Sequence, residues 1–589
     1  MNWQKLWWLV VAILISFPGR GSRAQTQSVE MVPSALKALG APNNPKIEVA
    51  WNRYYDWAGV TALVHRFAET FPHLCRLEQI GTSYGGRPLW ALTITNFQKG
   101  KPEDKPAMYI DASIHANEIQ AVEVALYTAW FLLESYGNNP FITELLDTRT
   151  FYIVPGQSPD SRDRFMHSAN NPHSPRSGQV PRDDDGDGLI NEDPPDDLNG
   201  DGYITQMRVR APGGRWKVDP EDPRRMVRAR PDEEGEYYLF WTEGYDNDGD
   251  GQINEDGDGY YDPNRNWGWM WRPHYVQYGA DWFPFSLPET KAVSDFIKSH
   301  PNILGGQSYH NAGGMILRGP GAKEDRIESE DLKLFDLMGK FGEQILPGYR
   351  YLVTHRDLYT VYGGETDWMY GAEGILPFVN ELWTPYNMFR KQYPKDNWFG
   401  AGKDLYKFDR YLLLGEAFVD WQPVAHPQYG MVEVGGFKKT YTRMPPSFLL
   451  EEECHRNMIF TLWHAYHLPL ITLDSVQVIP LGQQRYLVTL IIHNHRAFPT
   501  RLQVDVKNRI TRPDIVTLQG LPVLAGGVHR TVFSPTFEAQ QAHPERLKIE
   551  RIPGFGAVRV SWIVRGTGPI QITFDSVKGG KYQKRVVVR

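Results

Sequence analysis

Cysteine is scarce in this chain, which has only Cys75 and Cys454 among its 589 residues. Neither residue stands in a CxxC or lipobox context, which argues against a cysteine-ligated metal site and against a lipid anchor. In an exported protein the two could pair in a disulfide, but a large core needs no such bond. A disulfide and two free buried thiols therefore remain equal expectations.

Charge of one sign and long apolar runs are missing as well. The net charge of -7 is small for this length and gives no basic patch, so nucleic acid is not an expected partner. Beyond the N-terminus no apolar run reaches the ~20 residues of a membrane-spanning helix. The apolar share of 41% and the charged share of 23% are typical of a globular protein, and the length indicates at least two domains.

The N-terminus has the pattern of a secretory signal. Lys5 precedes an apolar run over residues 6–17, and the small residues Ser22 and Ala24 follow at the spacing that a signal peptidase prefers. A dozen apolar residues are too few to span roughly 30 Å of hydrocarbon. We predict a signal peptide over residues 1–24, a secreted or periplasmic protein, and no membrane anchor after cleavage.

Strand-like and helix-like patterns alternate over residues 46–467, after a polar linker at 25–45. An example is AMYIDASIH, a predicted strand at 107–115, followed by AVEVALYTAWFLLESYG, a predicted helix at 121–137. Alternation of this kind predicts an α/β catalytic domain with a mixed central sheet flanked by helices. Two Asp/Gly-rich insertions interrupt the pattern. They lie at residues 168–212 and 243–262.

Residues 470–589 have a different character. They contain the short β-patterned runs YLVTLIIHNH, RLQVDVKN, AVRVSWIVRG and IQITFDSV, separated by Pro and Gly turns and with no helix signal. This pattern predicts a C-terminal β-sandwich-like domain. Its partner is unknown from the sequence.

A His-x-x-Glu motif, His115 and Glu118 in HANE, lies where a predicted strand meets a predicted helix. An imidazole and a carboxylate at this spacing can converge on one point, and both are natural zinc ligands. Two further candidates end strand-like segments, His310 in NILGGQSYH and Glu381 in ILPFVNEL. Each residue alone has a plain interpretation, such as a satisfied histidine or a carboxylate at a strand end.

Taken in order, the motifs resemble those of the zinc carboxypeptidase family, the pancreatic A/B type and its bacterial relatives. The resemblance covers roughly residues 54–466. It includes IGTSYGGRPLWAL at 80–92, DPNRNW at 262–267 and LYTVYGGETDW at 358–368. It implies a zinc-dependent metallocarboxypeptidase, a hydrolase that removes C-terminal residues from peptides with one catalytic zinc ion.

The resemblance implies a role for each matched residue at the metal. His115, Glu118 and His310 would bind zinc, and Asp262 would orient His115. Three protein ligands leave an open position for water, as in catalytic zinc sites. Glu381 would be the general base that takes a proton from the zinc-activated water.

Other matched residues would hold the substrate. Asn264 and Arg265 would bind its free α-carboxylate, to which a guanidinium offers two parallel hydrogen bonds. Tyr359 would close over the bound terminus. Thr366 matches the floor of the pocket for the terminal side chain. Because it is neutral, it favours apolar or aromatic termini, unless the neighbouring Glu365 points inward.

Two positions depart from the family pattern. The family has an arginine that stabilises the oxyanion ahead of the Asn-Arg pair, but its motif is not recognisable here. We choose Arg208 in QMRVR for this role, with Arg210 as the alternative. Asn117 stands between the metal ligands, where pancreatic members have arginine, so their outer-subsite contact is in doubt.

The Asp/Gly-rich insertions carry a second metal pattern. In DDDGDGLINED, DLNGDG and DNDGDGQINEDGDG, oxygen ligands recur at positions one, three and five and glycine at six, which is the first half of a calcium loop. The glutamate of position twelve is missing, so the pattern is similar to thrombospondin type 3 or dockerin repeats. One copy would be only a solvated acidic loop. From three copies we predict structural Ca²⁺ that rigidifies the mouth of the active site. The predicted ligands are Asp183, Asp185, Asp187, Asp197, Asn199, Asp201, Asp246, Asp248 and Asp250.

Two other functions compete with peptidase activity. A calcium-dependent binding protein built on an inactive peptidase domain would lack a ligand or the glutamate, yet all are present. A zinc hydrolase of small-molecule amides, acyl groups or cell-wall peptides would keep the ligands, but Tyr359 and the Asn264–Arg265 pair fit a peptide C-terminus better. We therefore expect peptide or protein C-termini as substrates.

Overall fold

A computed structural model describes residues 38–42, 44–183, 188–255, 261–384, 386–391 and 402–589. The predicted signal peptide, most of the linker, and the calcium-ligand candidates Asp185 and Asp187 lie outside the described residues. Residues 42–589 form one compact unit. Cys75 and Cys454 are both buried and free, which decides between the two expectations for these thiols.

The helices and strands follow one another in chain order. The helices are α1 (Trp57–Thr70), α2 (Gln120–Ser135), α3 (Pro140–Thr148), α4 (Pro159–His167), α5 (Pro288–Ser299), α6 (Ser329–Ile345), α7 (Glu365–Gly371), α8 (Tyr386–Phe389), α9 (Lys403–Leu412), α10 (Ser447–Tyr466) and α11 (Gln503–Asn508). Strands of the first half are β1 (Cys75–Thr82), β2 (Pro88–Ile94), β3 (Ala107–Ala112), β4 (Thr150–Val154), β5 (Gln206–Gly214), β6 (Trp216–Val218), β7 (Met226–Arg228), β8 (Gly235–Phe240), β9 (Ile303–Asn311), β10 (Met315–Arg318), β11 (Arg350–Val353) and β12 (Leu376–Leu382). Strands of the second half are β13 (Phe418–His426), β14 (Gly430–Phe437), β15 (Ile471–Leu473), β16 (Gln477–Gly482), β17 (Arg485–Asn494), β18 (Asp514–Gln519), β19 (Val523–His529), β20 (Phe537–Ala539), β21 (Arg546–Ile549), β22 (Ala557–Arg565), β23 (Gly568–Ser576) and β24 (Gly580–Val588). Within the described residues, none of the helices combines the length and the apolar character that crossing a membrane requires.

The central sheet has eight strands in the order β1-β2-β4-β3-β9-β12-β10-β11. Its middle is parallel, because β4, β3, β9 and β12 pair in parallel, whereas β1, β2 and β10 join in antiparallel fashion. All residues of β3, β4 and β9 are buried, as expected of parallel strands covered on both faces. The α/β architecture with a mixed central sheet is therefore present as predicted.

Helix α2 is the central helix of this domain. All 16 of its residues are buried, and it packs against α1, α10 and the strands β3 and β9. A helix that is apolar all round has no face for water, so it is placed inside the protein. Because α2 begins at Gln120, two residues after Glu118, its burial fixes the position of the HANE motif.

A second sheet, which the sequence did not predict, has six strands in the order β13-β14-β5-β8-β6-β7. Strands β5 to β8 come from the region of the Asp/Gly-rich insertions, and the β13–β14 hairpin comes from beyond Glu381. Strand β5 pairs with β14 across more than 200 residues of chain. The interruption of the α/β pattern is thus an added sheet as well as loops.

The C-terminal region contains two antiparallel sheets with a shared apolar core. One follows the order β15-β17-β22-β19-β20, with β16 on β17, and the other follows β21-β18-β23-β24. Their buried residues, Trp562 among them, form a cluster separate from that of the central sheet. The sheet-rich C-terminal region agrees with the prediction.

One β-patterned run of this region was predicted wrongly. RLQVDVKN contains helix α11 (Gln503–Asn508) instead of a strand. Both carboxylate oxygens of Asp331, on α6, accept hydrogen bonds from the first helical N–H groups, those of Gln503 and Val504. A cap supplied from a distant helix stabilises a short helix, although the residues alternate as in a strand.

The C-terminal sheets contact the catalytic domain through a buried lysine. Lys578, in the turn between β23 and β24, is 1% exposed. Its ammonium donates hydrogen bonds to the carbonyls of Ile303, Glu373 and Gly374 at 2.8, 2.6 and 2.9 Å. These carbonyls lie at or just before the starts of β9 and β12. The two strands carry His310 and Glu381 toward their other ends.

Candidate active site

Three parallel strands bring the candidate metal ligands to one edge of the central sheet. Strand β3 ends at Ala112, three residues before His115, and β9 ends one residue after His310. The register of β9 and β12 pairs His310 directly with Glu381. Because parallel strands all end at the same edge, residues distant in sequence meet there.

The side chains of His115, Glu118 and His310 converge as predicted for a metal site. Glu118 Oε1 lies 3.1 Å from His115 Nδ1, and Glu118 Oε2 lies 3.1 Å from His310 Nδ1. One ligand atom from each of the three residues lies within 4.8 Å of the others. All three residues are 2% exposed.

The donor set fits a zinc ion. Both imidazoles direct Nδ1 toward the same carboxylate, and neutral imidazole nitrogen and carboxylate oxygen are the ligands of many catalytic zinc sites. His115 Nε2 is held by Asp262 Oδ1 at 2.9 Å, which fixes the ring and leaves Nδ1 for a metal. In the described part of the chain, His310 Nε2 is buried without a hydrogen-bond partner.

The charges at the triad favour an ionised carboxylate. Burial opposes ionisation of Glu118, yet the imidazoles of His115 and His310 hold its pKa well below the ordinary value. Burial also opposes ionisation of Asp262, whose pKa is held low by Arg265, His115 and Arg176. Two anionic carboxylates on a pair of imidazoles are the electrostatic surroundings that a divalent cation needs.

Arg265 lies close to the triad and is positioned to bind an anion. Its side chain is 10% exposed, and its Nη1 group donates to the backbone oxygen of Asn264 at 2.7 Å. Among the described residues no partner occupies its Nη2 group. Asp262 begins the short 3-10 turn Pro263–Arg265 by accepting the N–H of Asn264 at 2.7 Å. One aspartate therefore orients both the first metal ligand and the candidate carboxylate clamp.

A glycine loop packs on this clamp. Gly363 has φ +66°, and a Cβ atom there would lie 2.4 Å from the backbone oxygen of Arg265, so only glycine fits. Asn264 Oδ1 accepts the N–H of Glu365 at 2.9 Å, and the oxygen of Gly363 accepts the N–H of Trp267. The GGETDW motif thus lies against the Asn264–Arg265 pair.

The candidate lid and pocket floor differ in exposure. Tyr359 is 56% exposed, and it follows a π-helical turn at Thr354–Leu358. Thr366 is partly exposed at the start of α7. The side chain of Glu365 points inward: it is 1% exposed and accepts hydrogen bonds from Gln157 and Ser308 at 2.9 and 3.3 Å.

Glu381 lies beside His310, with which it pairs in the register of β12 and β9. Burial and the neighbouring Glu118 carboxylate raise its pKa, against the opposing effect of His310, Arg443 and His115.

The structure does not place Arg208 at the triad. Arg208 lies on β5 in the second sheet, where its Nε donates to Glu433 at 2.9 Å and its guanidinium stacks over Trp421. Arg210 is exposed on the same strand. The choice of these residues as the oxyanion donor was wrong, because β5 is paired with β8 and β14 away from the central sheet.

Arg176 and Arg443 are the cations that the sequence reasoning missed. Arg176 lies 3.2 Å from Glu118 and 3.4 Å from Asp262. Burial lowers its pKa, but Asp262, Glu118, Tyr359 and Glu381 outweigh that effect and raise it.

Arg443 lies 3.6 Å from Glu118 and donates to the backbone oxygen of Asn311, while Asn311 Nδ2 donates to the oxygen of Arg443 at 2.8 Å. No motif marks either arginine. The one available signal is that Arg176 precedes the first Asp-rich loop.

The Asp/Gly-rich loops share one hydrogen-bond pattern. In each loop the aspartate at position one accepts the N–H of the glycine at position six, at 2.7 to 3.0 Å. The pairs are Asp183 with Gly188, Asp197 with Gly202, and Asp246 with Gly251. The carboxylates of Asp246, Asp248 and Asp250 lie within 4.8 Å of one another, and so do those of Asp193, Asp248 and Glu255.

A two-histidine, one-carboxylate set that could hold a zinc ion thus lies at the edge of a mixed α/β sheet, with the guanidinium of Arg265 beside it. Comparison with known proteins agrees. The profile of the zinc carboxypeptidase family matches residues 60–171 and 225–397. The chain belongs to the zinc carboxypeptidase family. A domain family of unknown function matches residues 470–587.

Relatives are similar over short segments. Human carboxypeptidase D is 29% identical over 131 residues, which are 22% of this chain and 10% of that protein. The zinc carboxypeptidase of Saccharothrix mutabilis subsp. capreolus is 28% identical over 137 residues, 23% of this chain and 31% of that protein. Among solved structures, thrombin activatable fibrinolysis inhibitor is similar at a TM-score of 0.41 and 17% identity, covering 71% of this chain and 75% of that chain. The chain spans less than a third of the length of the two curated relatives, human carboxypeptidase D and the Saccharothrix mutabilis enzyme.

Proposed function

We propose that this protein is a zinc-dependent metallocarboxypeptidase that hydrolyses the C-terminal peptide bond of peptides. The observation that carries the proposal is the Arg265 guanidinium, held beside the His115–Glu118–His310 triad with its Nη2 group available. A buried guanidinium next to a zinc site recognises a carboxylate, and a free α-carboxylate is what distinguishes a chain end from an internal peptide bond.

The side chains divide the reaction among them. When bound, zinc supplies a Lewis acid for the scissile carbonyl and lowers the pKa of a water molecule. Glu381 takes the proton of the attacking water and returns it to the leaving amine. Arg176 is the proposed donor to the developing oxyanion, because it is the cation in contact with Glu118 and Asp262.

The substrate terminus is fixed by the remaining residues. Arg265 and Asn264 bind its carboxylate, and the exposed Tyr359 covers it. Glu365 points inward, the case that would reverse a preference for apolar or aromatic termini, but it is 1% exposed and its carboxylate already accepts hydrogen bonds from Gln157 and Ser308. We therefore take the partly exposed Thr366 as the residue that meets the terminal side chain. We propose a preference for apolar or aromatic termini over lysine or arginine.

The test is a set of blocked dipeptides with a free or an amidated C-terminus. Hydrolysis of the free acids with at least 100-fold higher kcat/KM than the amides supports an exopeptidase. Equal rates for both would remove the exopeptidase claim and favour a hydrolase of other amides. Termini of Phe and Arg compared at the same time test the role of Thr366.

The Asp/Gly-rich loops are proposed to bind structural Ca²⁺. The support is the repeated spacing of oxygen ligands, the shared bond from the position-six glycine to the position-one aspartate, and the grouping of Asp246, Asp248 and Asp250. Removal of calcium with a chelator that spares zinc should then lower the melting temperature. An unchanged melting temperature and unchanged activity would rule the proposal out.

We also propose that the protein is exported, as the N-terminal pattern of Lys5, the apolar run and Ala24 indicates. Sequencing of the mature N-terminus tests this. A chain that begins at Gln25 supports export, and a chain that retains the apolar run contradicts cleavage.

A further inference from the structure

A cavity of about 660 Å³ is lined largely by residues of the second sheet and its loops, a region that the family profile leaves unmatched from residue 172 to residue 224. Its volume falls in the ~300–1,000 Å³ range of ligand sites. The walls are mainly aromatic and aliphatic. They include Trp216, Leu239, Trp241, Tyr406 and Phe437.

The backbone of one cavity wall is hydrogen-bonded to the metal motif. Pro172 and His173 line the cavity. The oxygen of Pro172 accepts from Asn117 Nδ2 at 3.2 Å, and the oxygen of Arg176 accepts from the N–H of Ala116 at 3.2 Å. The segment that carries Arg176 therefore connects the HANE motif with the cavity.

A second segment of the lining precedes a residue that lies near the triad. Thr442 lines the cavity, and its neighbour Arg443 lies 3.6 Å from Glu118. Two independent segments, 171–176 and 442–443, thus extend from the cavity to the same metal ligand.

The candidate clamp Arg265 and Arg443 reach the triad through different residues. Arg265 approaches through Asp262 and His115, whereas Arg443 approaches through Glu118. Within the described residues, the cavity lining contains none of Asn264, Arg265, Tyr359 or Thr366. A peptide held at its carboxylate by Arg265, with its last bond at the triad and its upstream part along Arg443, would extend toward the cavity.

The lining of the cavity is mainly apolar and suits an apolar side chain. Its one arginine, Arg225, is paired with Asp219 at 2.7 Å and brings no free charge. Trp241, at 71% exposure, lines the cavity and contacts Trp216 edge to face. The exposed ring of Trp241 would be stabilised by burial against another apolar group.

We propose that this cavity binds large apolar side chains of the peptide upstream of the scissile bond, so that the enzyme selects substrates by internal residues as well as by the terminal one. The inference rests on the proposed carboxypeptidase function. It assigns a specificity role to the second sheet, whose residues contact substrate without taking part in the chemistry.

The experiment uses the full-length zinc-loaded protein and two sets of peptides with an identical, cleavable C-terminal dipeptide. In the first set the dipeptide carries only a blocking group at its N-terminus, so these substrates are too short to reach the cavity. The second set is extended upstream by four residues that are all glycine, or contain two tryptophans, or contain two glutamates. Because burial of a large apolar side chain favours binding, kcat/KM should be about 10- to 100-fold higher for the tryptophan peptide than for the glycine peptide. The glutamate peptide should show no gain.

The substituted side chains, Trp241 and Trp282, are exposed, so the substitutions should leave folding unaffected. Trp241→Ala should reduce the tryptophan-over-glycine ratio by about tenfold, and Trp241→Phe should keep most of it. Trp282→Ala is the matched control, since Trp282 is 72% exposed and lies outside the cavity lining. This control should keep the wild-type ratio.

The outcomes separate the two proposals. Equal rates for the glycine and tryptophan peptides in the wild type, or a ratio unchanged in Trp241→Ala, would overturn the cavity assignment while short free-acid peptides are still cleaved. Failure to cleave any peptide with a free carboxylate would overturn the proposed function, and the cavity assignment with it.

Discussion

Lys578→Met should destabilise the protein and change how its stability depends on pH. The substitution leaves the carbonyls of Ile303, Glu373 and Gly374 without their ammonium donor. An unsatisfied buried carbonyl costs roughly 1–3 kcal/mol. The loss is offset by the desolvation of the charge, which lowers the pKa of Lys578 to about 8 and corresponds to about 3 kcal/mol. Three such carbonyls together cost about 6 kcal/mol at the middle of that range, and about 3 kcal/mol of this is regained. The free energy of unfolding near pH 7 should therefore fall by about 3 kcal/mol.

The sign of the pH effect follows from the lowered pKa of Lys578. The unfolded chain binds more protons at this site than the folded chain between about pH 8 and the ordinary lysine pKa of 10.5, so wild-type stability rises with pH across this window. From pH 8 to pH 10 the gain from this residue is about 2 kcal/mol. Lys578→Met should lack this gain.

The assay is urea unfolding of wild type, Lys578→Met and Lys581→Met at pH 8 and pH 10. Lys581 is exposed on β24 and serves as the control, with an expected change within about 0.5 kcal/mol. A stable Lys578→Met protein whose pH dependence equals that of the wild type would refute the assigned role of this lysine. It would also show that the C-terminal sheets do not support the starts of β9 and β12.

The remaining predictions concern the site. Glu381→Gln should lower kcat by at least 1,000-fold while one zinc per chain remains, and metal analysis with kinetics checks both; wild-type rates would disprove the role as base. Arg265→Met should lower kcat/KM about 100-fold for free-acid peptides and hardly affect any residual amide hydrolysis, as a comparison of the two substrates would measure. Arg176→Ala should lower kcat about 100-fold. Arg208→Ala should lower the melting temperature but retain kcat, since Arg208 packs on Trp421. The reverse result would favour Arg208 as the oxyanion donor.

The candidate zinc triad could be predicted because its residues match, in order, the motifs of a known family. His115 and Glu118 are three residues apart at a strand end, and His310 and Glu381 end strand-like segments. Parallel pairing then brings strand ends together, which makes the meeting of these residues a consequence of fold class. The Asn264–Arg265 pair could be predicted because both residues lie in one contiguous motif, DPNRNW.

Arg176 and Arg443 could not be predicted, because their positions depend on contacts between distant segments. Arg443 follows strand β14, whose partner β5 lies more than 200 residues earlier. The strands of the second sheet are short and surrounded by Asp/Gly-rich loops, so their periodicity is weak. The arginine chosen from QMRVR, Arg208, therefore lies on a strand of the second sheet and not beside the triad.

Helix α11 shows the same limit at a smaller scale. The alternation of RLQVDVKN favours a strand, and the competing influence is the carboxylate of Asp331 at the helix N-terminus. No pattern within the segment reveals a cap that comes from α6. Local propensity decides only where tertiary contacts do not.

The most direct test of the account is anomalous scattering at the zinc edge from crystals of the zinc-loaded protein. We predict one catalytic peak within about 2.0–2.2 Å of Nδ1 of His115, Nδ1 of His310 and the carboxylate of Glu118. A zinc peak elsewhere, or none at these three side chains in protein that hydrolyses peptides, would contradict it.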